Sequence, residues 1–177
     1  MRRGIPLGSA HRLVPEATFI DPDLDADRVA AEAVFEALGR LSPSLAGSAD
    51  PTVAAFGQFE LGIDGLEPLW GPEPTLIERV VAALGAALPE AARPDPALIP
   101  RVGVAGTHFA ATGAAVRARP GSPVSIAPGT EAEFLAELPS ALLTTDGDVR
   151  ARLTRFGLRR IGAVAALPLS AQVARFG

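Results

Sequence analysis

The sequence predicts an α+β fold, in which a layer of helices and short strands is followed by a small module that is helical throughout. Three observations support this prediction. The 177 residues are 48% hydrophobic and 20% charged, which is typical of globular proteins and excludes a largely disordered chain. Helical and extended hydrophobic patterns alternate along most of the chain, and only helical patterns follow Asp148. The length suits one domain or two small ones.

The composition excludes several classes of chemistry. The chain has no Cys, which excludes disulfides, thiolate nucleophiles and Cys-ligated zinc or iron–sulfur sites. It has no Lys either, so all 16 basic residues are Arg and lysine Schiff-base chemistry is excluded. No run approaches the roughly 18 apolar residues of a membrane helix, and no apolar region follows the first residues. We therefore expect a cytoplasmic protein with no membrane partner.

The chain is predicted to begin with a loop and a helix. Prolines in residues 4–23 predict a loop, with a short extended piece at 18–20. Apolar residues then recur every three or four positions over 24–41. This spacing predicts a helix whose N-cap is Asp23 or Asp25.

An extended region, a second helix and a linker are predicted next. In residues 53–63 the apolar side chains fall on alternate positions, which predicts one long strand or a hairpin. Thr75 and Glu78 have the spacing of a capping box at the start of the second helix. Four prolines in residues 89–100 predict a linker.

Two short strands around a helix are predicted in the second half of the chain. The apolar run 102–106 predicts a buried strand, and the Ala-rich segment 109–117 predicts the helix that follows it. A second strand is predicted at 123–126. Thr130 and Glu133 then have the spacing of a cap for a short helix.

The net charge of −4 hides an asymmetry between the two ends of the chain. Residues 1–100 carry 7 Arg and 15 acidic residues, whereas residues 101–177 carry 9 Arg and 5 acidic residues. Residues 149–177 contain six Arg and no acidic residue. A short helical segment of this charge is the footprint expected of a phosphate-backbone contact. The alternative is a solvated helix face in an Arg-rich protein.

Six segments of the chain, in the correct order, resemble Y-family (UmuC-type) DNA polymerases. Together they cover nearly the whole sequence. The segments are RRGIPLGSAHRLVPEATFIDPD, LSPSLAG, LGIDGLEPLWG, VGVAGTHFAATGAAVRARPG, VSIAPGTEAEFLAELPSALL and RLTRFGLRRIGAVAALP.

This resemblance implies a division of the chain into three parts. Residues 1–26 would be a remnant of the fingers. Residues 27–128 would form a palm-like α+β domain with a truncated, ferredoxin-like sheet. Residues 129–177 would form a small helix-hairpin-helix thumb, truncated before a little-finger domain.

The resemblance also implies that the metal site of the family is missing. Polymerases of this family hold two Mg²⁺ ions on three carboxylates, because the attacking and leaving oxygens both need stabilisation. One carboxylate comes from a first strand that would lie before Met1. The other two align with Gly57 and Gln58, and a neutral amide is a poor substitute for a carboxylate ligand. We therefore expect no catalytic residue, no bound metal and no cofactor.

This pattern resembles ImuB-type subunits, the catalytically degenerate relatives of the family. The implied function is that of a non-catalytic, DNA-binding scaffold subunit in DNA repair and SOS-induced mutagenesis. The implied partners are DNA, a replicative-type polymerase subunit, an ImuA/RecA-like subunit and the sliding clamp.

Two alternatives remain open. One is an active Y-family polymerase fragment, a DNA-directed nucleotidyltransferase that binds Mg²⁺. In that case the alignment of the catalytic carboxylates with Gly57 and Gln58 is incorrect. The other is an unrelated α+β interaction domain with an Arg-rich tail.

The DNA-binding hypothesis rests on the glycines and arginines of the tail. Gly157 is predicted to end one helix in a left-handed conformation, and Gly162 to open the next helix with free amides. Free amides at a helix start bind phosphate oxygens. The segment TTDGDV replaces the glycine-rich turn expected before this hairpin, which puts one phosphate site in doubt. The predicted DNA-binding residues are Arg150, Arg152, Arg155, Gly157, Arg159, Arg160 and Gly162.

Other polar clusters favour structural interpretations. Asp21, Asp23, Asp25, Asp27 and Glu32 have the spacing of a calcium loop, but Ala26 replaces the required Gly, so acids at a helix N-terminus fit better. Asp64, Glu67 and Glu73 are interpreted as a surface loop. His11 and His108 are too few for a metal site, and His108 stands where the family has Lys. Trp70 is expected to pack the hairpin against a helix.

Overall fold

A computed structural model describes residues 6–88 and 99–176. In these residues helices predominate and the strands are short. The helices are α1 (Leu7–Leu13), α2 (Leu24–Gly39), α3 (Glu67–Trp70), α4 (Glu73–Ala87), α5 (His108–Arg117), α6 (Glu131–Ala136), α7 (Gly147–Arg155), α8 (Ile161–Ala165) and α9 (Leu169–Phe176). The strands are β1 (Leu45–Gly47), β2 (Phe59–Leu61), β3 (Gly103–Val104) and β4 (Val124–Ser125), and a 3-10 helix spans Ser140–Leu143.

Helix α2 forms where the sequence predicts it. The Asp23 carboxylate accepts a hydrogen bond from the Ala26 amide and caps the first turn. The buried residues Ala31, Val34 and Leu38 recur at helical spacing on one face. This face packs on Leu84 of α4 and forms the core. The antiparallel pair β1–β2 contributes Leu45, Phe59 and Leu61 to this core, and Val102, the residue before β3, also packs against it.

The strands form two separate pairs within the described residues, where the sequence predicts one palm-like sheet. Strands β1 and β2 are antiparallel, with Leu45 opposite Leu61 and Gly47 opposite Phe59. Strands β3 and β4 are parallel. The hairpin alternative for residues 53–63 is confirmed only in part. Its first strand lies earlier than predicted, and turns occupy most of 50–57.

The predicted capping box of the second helix is wrong. Helix α4 begins at Glu73, directly after Pro72, and no side chain caps it. Thr75 therefore lies inside the first turn. The preceding segment, interpreted above as a surface loop, contains the short helix α3. The indole Nε1 of Trp70 in α3 donates a 2.7 Å hydrogen bond to the Leu41 carbonyl, between α2 and β1.

The unit β3–α5–β4 agrees with the sequence prediction, although both strands are shorter. Thr107 caps α5 by accepting a hydrogen bond from the Ala110 amide. Gly103 of β3 lies so close to α5 that a Cβ atom would clash with the backbone at Ala111 and Ala115. This close approach requires Gly.

The structure of the first residues differs from the sequence prediction, which is a loop over 4–23 with an extended piece at 18–20. Residues Leu7–Leu13 instead form α1, and residues 18–20 belong to no strand. Most of the predicted linker 89–100 lies outside the described residues. None of the helices described here is long and apolar enough to cross a membrane.

The predictions for the caps of the later helices are corrected in two details. Thr130 does precede α6, but its side chain makes no cap hydrogen bond and instead donates to the Ala127 carbonyl. Gly162, predicted to open a helix, is the second residue of α8, which begins at Ile161. A Cβ atom at Gly162 would lie 2.9 Å from the Ala136 Cβ, so this Gly lets α8 pack closely on α6.

Candidate nucleic-acid interface

The predicted DNA-binding residues lie on α7, on α8 and on the turn that joins them. Gly157 has φ +73°, the left-handed conformation predicted for it. The Leu158 amide donates to the Leu153 carbonyl, and the Gly157 amide donates to the Thr154 carbonyl. These two bonds form a Schellman motif, which ends α7 and satisfies its last carbonyls.

The turn after Gly157 is held against the segment that follows α6. The Ile161 amide donates a 2.9 Å hydrogen bond to the Leu138 carbonyl, and the Ser140 amide donates to the Arg159 carbonyl. The hydroxyl of Ser140 donates to the Leu158 carbonyl. Ser140 and Leu138 are both buried. The turn is therefore held on both sides, and the first amide of α8, that of Ile161, is bonded within the protein. The free amides predicted from the sequence are those of Gly162, the next residue.

Four of the six Arg side chains of the tail have partners within the protein. Arg150 donates to the Thr144 carbonyl, and Arg152 donates to the Arg175 carbonyl. Arg160 forms an ion pair with Glu137, and the guanidinium of Arg175 lies 4.6 Å from the centre of the Phe156 ring.

The other two arginines, Arg155 and Arg159, differ from these four. Both are exposed, and neither side chain has a hydrogen bond or ion pair within residues 6–88 and 99–176. They flank the Schellman turn on either side. The structure thus places two arginines with uncommitted guanidinium groups at one exposed turn.

An acidic side chain lies at the N-terminus of α7. The Asp146 carboxylate accepts hydrogen bonds from the Asp148 amide (2.7 Å) and the Val149 amide (3.1 Å). The bonds from Val149 and Asp148 lower the pKa of the Asp146 carboxyl, and the positive charge of Arg152 adds to the effect. Sequence reasoning noted the changed turn in this segment but did not identify Asp146 as the cap.

The hairpin residues that align with the metal carboxylates do not fit a divalent cation. Gly57 has no side chain, and Gln58 is an exposed neutral residue directly before β2. The nearest acid along β2, Glu60, is 2.7 Å from His108 Nδ1 at the start of α5. Within the described residues no three acidic or His side chains are grouped so that they could hold a metal ion. The donor set therefore does not match the carboxylate cluster that Mg²⁺ requires.

The Glu60–His108 pair is a contact that sequence reasoning missed. The two residues are far apart in sequence, and no spacing links them. The acidic cluster lies at the N-terminus of α2, as the sequence predicts, since Asp23 caps the helix and Asp25 in its first turn lies 3.6 Å from Arg28.

Comparisons with known proteins find relatives over nearly the whole chain. Protein ImuB from Caulobacter vibrioides is 36% identical over 175 residues, which are 98% of this chain and 34% of that protein. DNA polymerase IV from Dehalococcoides mccartyi is 28% identical over 175 residues, which are 98% of this chain and 41% of that protein. No protein-family model matches the chain.

A solved structure shows the same fold. The crystal structure of a DinB family error-prone DNA polymerase from Sulfolobus solfataricus matches 99% of this chain and 49% of its own, with a TM-score of 0.72 and 16% sequence identity. At this identity the match shows the fold alone. The chain spans between about a third and a half of the length of these relatives.

Proposed function

The chain is an ImuB-like relative of the Y-family DNA polymerases, and on this premise we propose that it is a non-catalytic, DNA-binding scaffold in DNA damage repair and induced mutagenesis. The observation that carries the proposal is the exposed turn at Gly157, which is flanked by Arg155 and Arg159. A guanidinium group never deprotonates and donates two parallel hydrogen bonds to a phosphate. This turn is therefore suited to the backbone of DNA, without preference for sequence.

The distribution of charge along the chain also supports DNA binding at the turn at Gly157. Residues 1–100 carry a net charge of −8, so a duplex would be repelled from that part of the chain. Residues 149–177 carry six Arg and no acid. We propose that the duplex contacts the C-terminal end of α7 and the turn before α8, within a thumb formed by residues 129–177.

The non-catalytic part of the proposal is supported by the hairpin. In the resemblance to the family, Gly57 and Gln58 align with the carboxylate positions, and Glu60 is paired with His108. No step of nucleotidyl transfer can be assigned to this donor set. We further propose, from the relationship to ImuB, that the partners include a replicative-type polymerase subunit, an ImuA/RecA-like subunit and the sliding clamp.

DNA binding is tested with a double variant, Arg155→Ala with Arg159→Ala. Fluorescence anisotropy of short labelled duplexes of unrelated sequence should show affinity about tenfold weaker for every duplex, because two phosphate contacts are lost. The matched control is Arg117→Ala with Arg119→Ala, which removes the same charge from exposed positions outside α7–α9. Equal losses in both variants would show that only net charge matters and would contradict the assigned surface.

Catalysis is tested by primer extension with Mg²⁺ or Mn²⁺. We expect no template-dependent incorporation. Incorporation that is abolished by Glu60→Gln or by another single acid-to-amide change would establish the active-polymerase alternative and overturn the non-catalytic proposal.

A further inference from the structure

The N-terminus of α7 carries its own anion. Helix N-termini attract phosphate because their first amides lack partners within the helix and the helix dipole is positive there. At α7 the Asp146 carboxylate already accepts hydrogen bonds from two of these amides, those of Asp148 and Val149. The bonds from Val149 and Asp148 favour the charged form of this carboxylate and so lower the pKa of Asp146.

The position of this carboxylate matters because α7 also leads to the exposed turn at Gly157. Arg155 and Arg159 flank the far end of α7, whereas Asp146 and Asp148 lie at its beginning. One helix therefore has a cationic end and an anionic end. A duplex that contacts the cationic end would meet a carboxylate where a helix N-terminus would otherwise offer amides.

We propose that Asp146 is a specificity-determining residue that keeps phosphate away from the α7 N-terminus and restricts DNA contact to the turn at Gly157. This inference rests on the proposed DNA-binding function. The carboxylate acts in two ways: it occupies the Asp148 and Val149 amides, and its charge repels a phosphate oxygen at the same place.

Two substitutions separate these effects. Asp146→Asn keeps an oxygen that caps the amides but removes the charge. Asp146→Gly removes the charge and leaves the amides open, and Gly is tolerated at an N-cap with a small loss of stability. Both variants should bind a labelled duplex more tightly than the parent protein, by about three- to tenfold at low salt, with the larger gain for Asp146→Gly.

Two controls show whether the effect belongs to Asp146. Asp148→Asn removes a charge two residues further along and leaves the Asp146 cap in place, so its gain should be smaller than that of Asp146→Gly. Asp23→Asn neutralises the equivalent cap of α2, in the acidic half of the chain, and its affinity should equal that of the parent protein. Circular dichroism of each variant confirms that it is folded.

A second measurement does not depend on duplex binding. In Asp146→Gly, titration with inorganic phosphate should shift the NMR amide signals of Asp148 and Val149, and the same signals should not move in the parent protein. If these amides shift while no variant binds DNA, the inference about Asp146 stands and the proposed function fails. If they do not shift, or if Asp146→Gly binds DNA no more tightly than Asp148→Asn, the inference is overturned even where the parent protein binds DNA.

Discussion

Gly157 is the residue whose backbone conformation determines where α7 ends. Its φ of +73° lies in the left-handed region, and a Cβ atom there would meet no other atom within 4 Å. The cost of a side chain at this position is therefore conformational and not steric. Because the Schellman motif depends on this conformation, the direction of the turn that carries Arg159 depends on it too.

Gly157→Ala should lower the free energy of unfolding by about 1 kcal/mol, because an L-residue is strained in the left-handed region. Gly147→Ala is the matched control. Gly147 is the first residue of α7, has no positive φ and has open space around it. Chemical denaturation should show that Gly147→Ala is as stable as the parent protein or more stable. Equal destabilisation by both changes would contradict the assigned turn geometry.

Asp146 should also affect the stability of the protein in acid. Its pKa is lowered in the folded state by the Val149 and Asp148 amides, so the charged carboxylate favours folding. This contribution is present above the unfolded pKa of about 3.9 and is lost as the pH falls through the lower, folded pKa. Below about pH 4 the melting temperature of Asp146→Asn should therefore fall less steeply than that of the parent protein, as measured by thermal denaturation over a pH series. Parallel curves for the two proteins would show that the cap is not formed in solution.

At the scale of elements, the contact between β3 and α5 depends on Gly103. A Cβ atom at this position would meet backbone atoms of Ala111 and Ala115, which cannot move without disrupting α5. Gly103→Ala should therefore destabilise the protein by about 1–3 kcal/mol. Gly85→Ala provides the control, because Gly85 lies inside α4 with nothing within 4 Å of a Cβ atom. Urea denaturation should show Gly85→Ala to be slightly more stable than the parent protein, and a neutral Gly103→Ala would contradict the packing of β3 on α5.

The elements differ in how well the sequence predicts them, and the reasons are physical. Helices α2 and α5 are long, regularly patterned and capped by Asp23 and Thr107, so local signals suffice. Strand β1 is three residues long and consists of Leu, Ala and Gly, so no alternation can reveal it. The start of α4 differs from the predicted one because the helix begins at Glu73 after Pro72, without a side-chain cap.

In the candidate site, too, the sequence predicts local features but not contacts between residues that are far apart in sequence. The positive φ of Gly157 follows from the pattern of the tail, because Gly after a helical stripe is a local signal. The partners of Ser140, Glu60 and Arg160 lie 18 or more residues away in sequence. Such contacts arise from the packing of α6 with α8 and of β2 near α5. The sequence alone does not distinguish among the five arginines predicted to bind DNA. Among the described residues, the structure sets apart Arg155 and Arg159, whose side chains have no hydrogen bond or ion pair there.

At the scale of the whole molecule, the two ends of the chain have opposite charge. Residues 1–100 have a net charge of −8 and residues 101–177 a net charge of +4. A polyanion is therefore expected to bind at one end only, with the acidic part directed away from it. The boundaries 1–26, 27–128 and 129–177 stay a prediction, whereas the shared fold with a DinB family polymerase extends over 99% of the chain.

The most direct test of DNA-backbone binding is the salt dependence of affinity for a short duplex. Each phosphate contact contributes about 0.9 to the slope of log affinity against log salt concentration. If two to four phosphates are contacted, the slope has a magnitude of roughly 2 to 4, and it should be smaller in the variant Arg155→Ala with Arg159→Ala. Affinity that does not change with salt, or a slope that is the same in that variant as in the parent protein, would contradict the central claim.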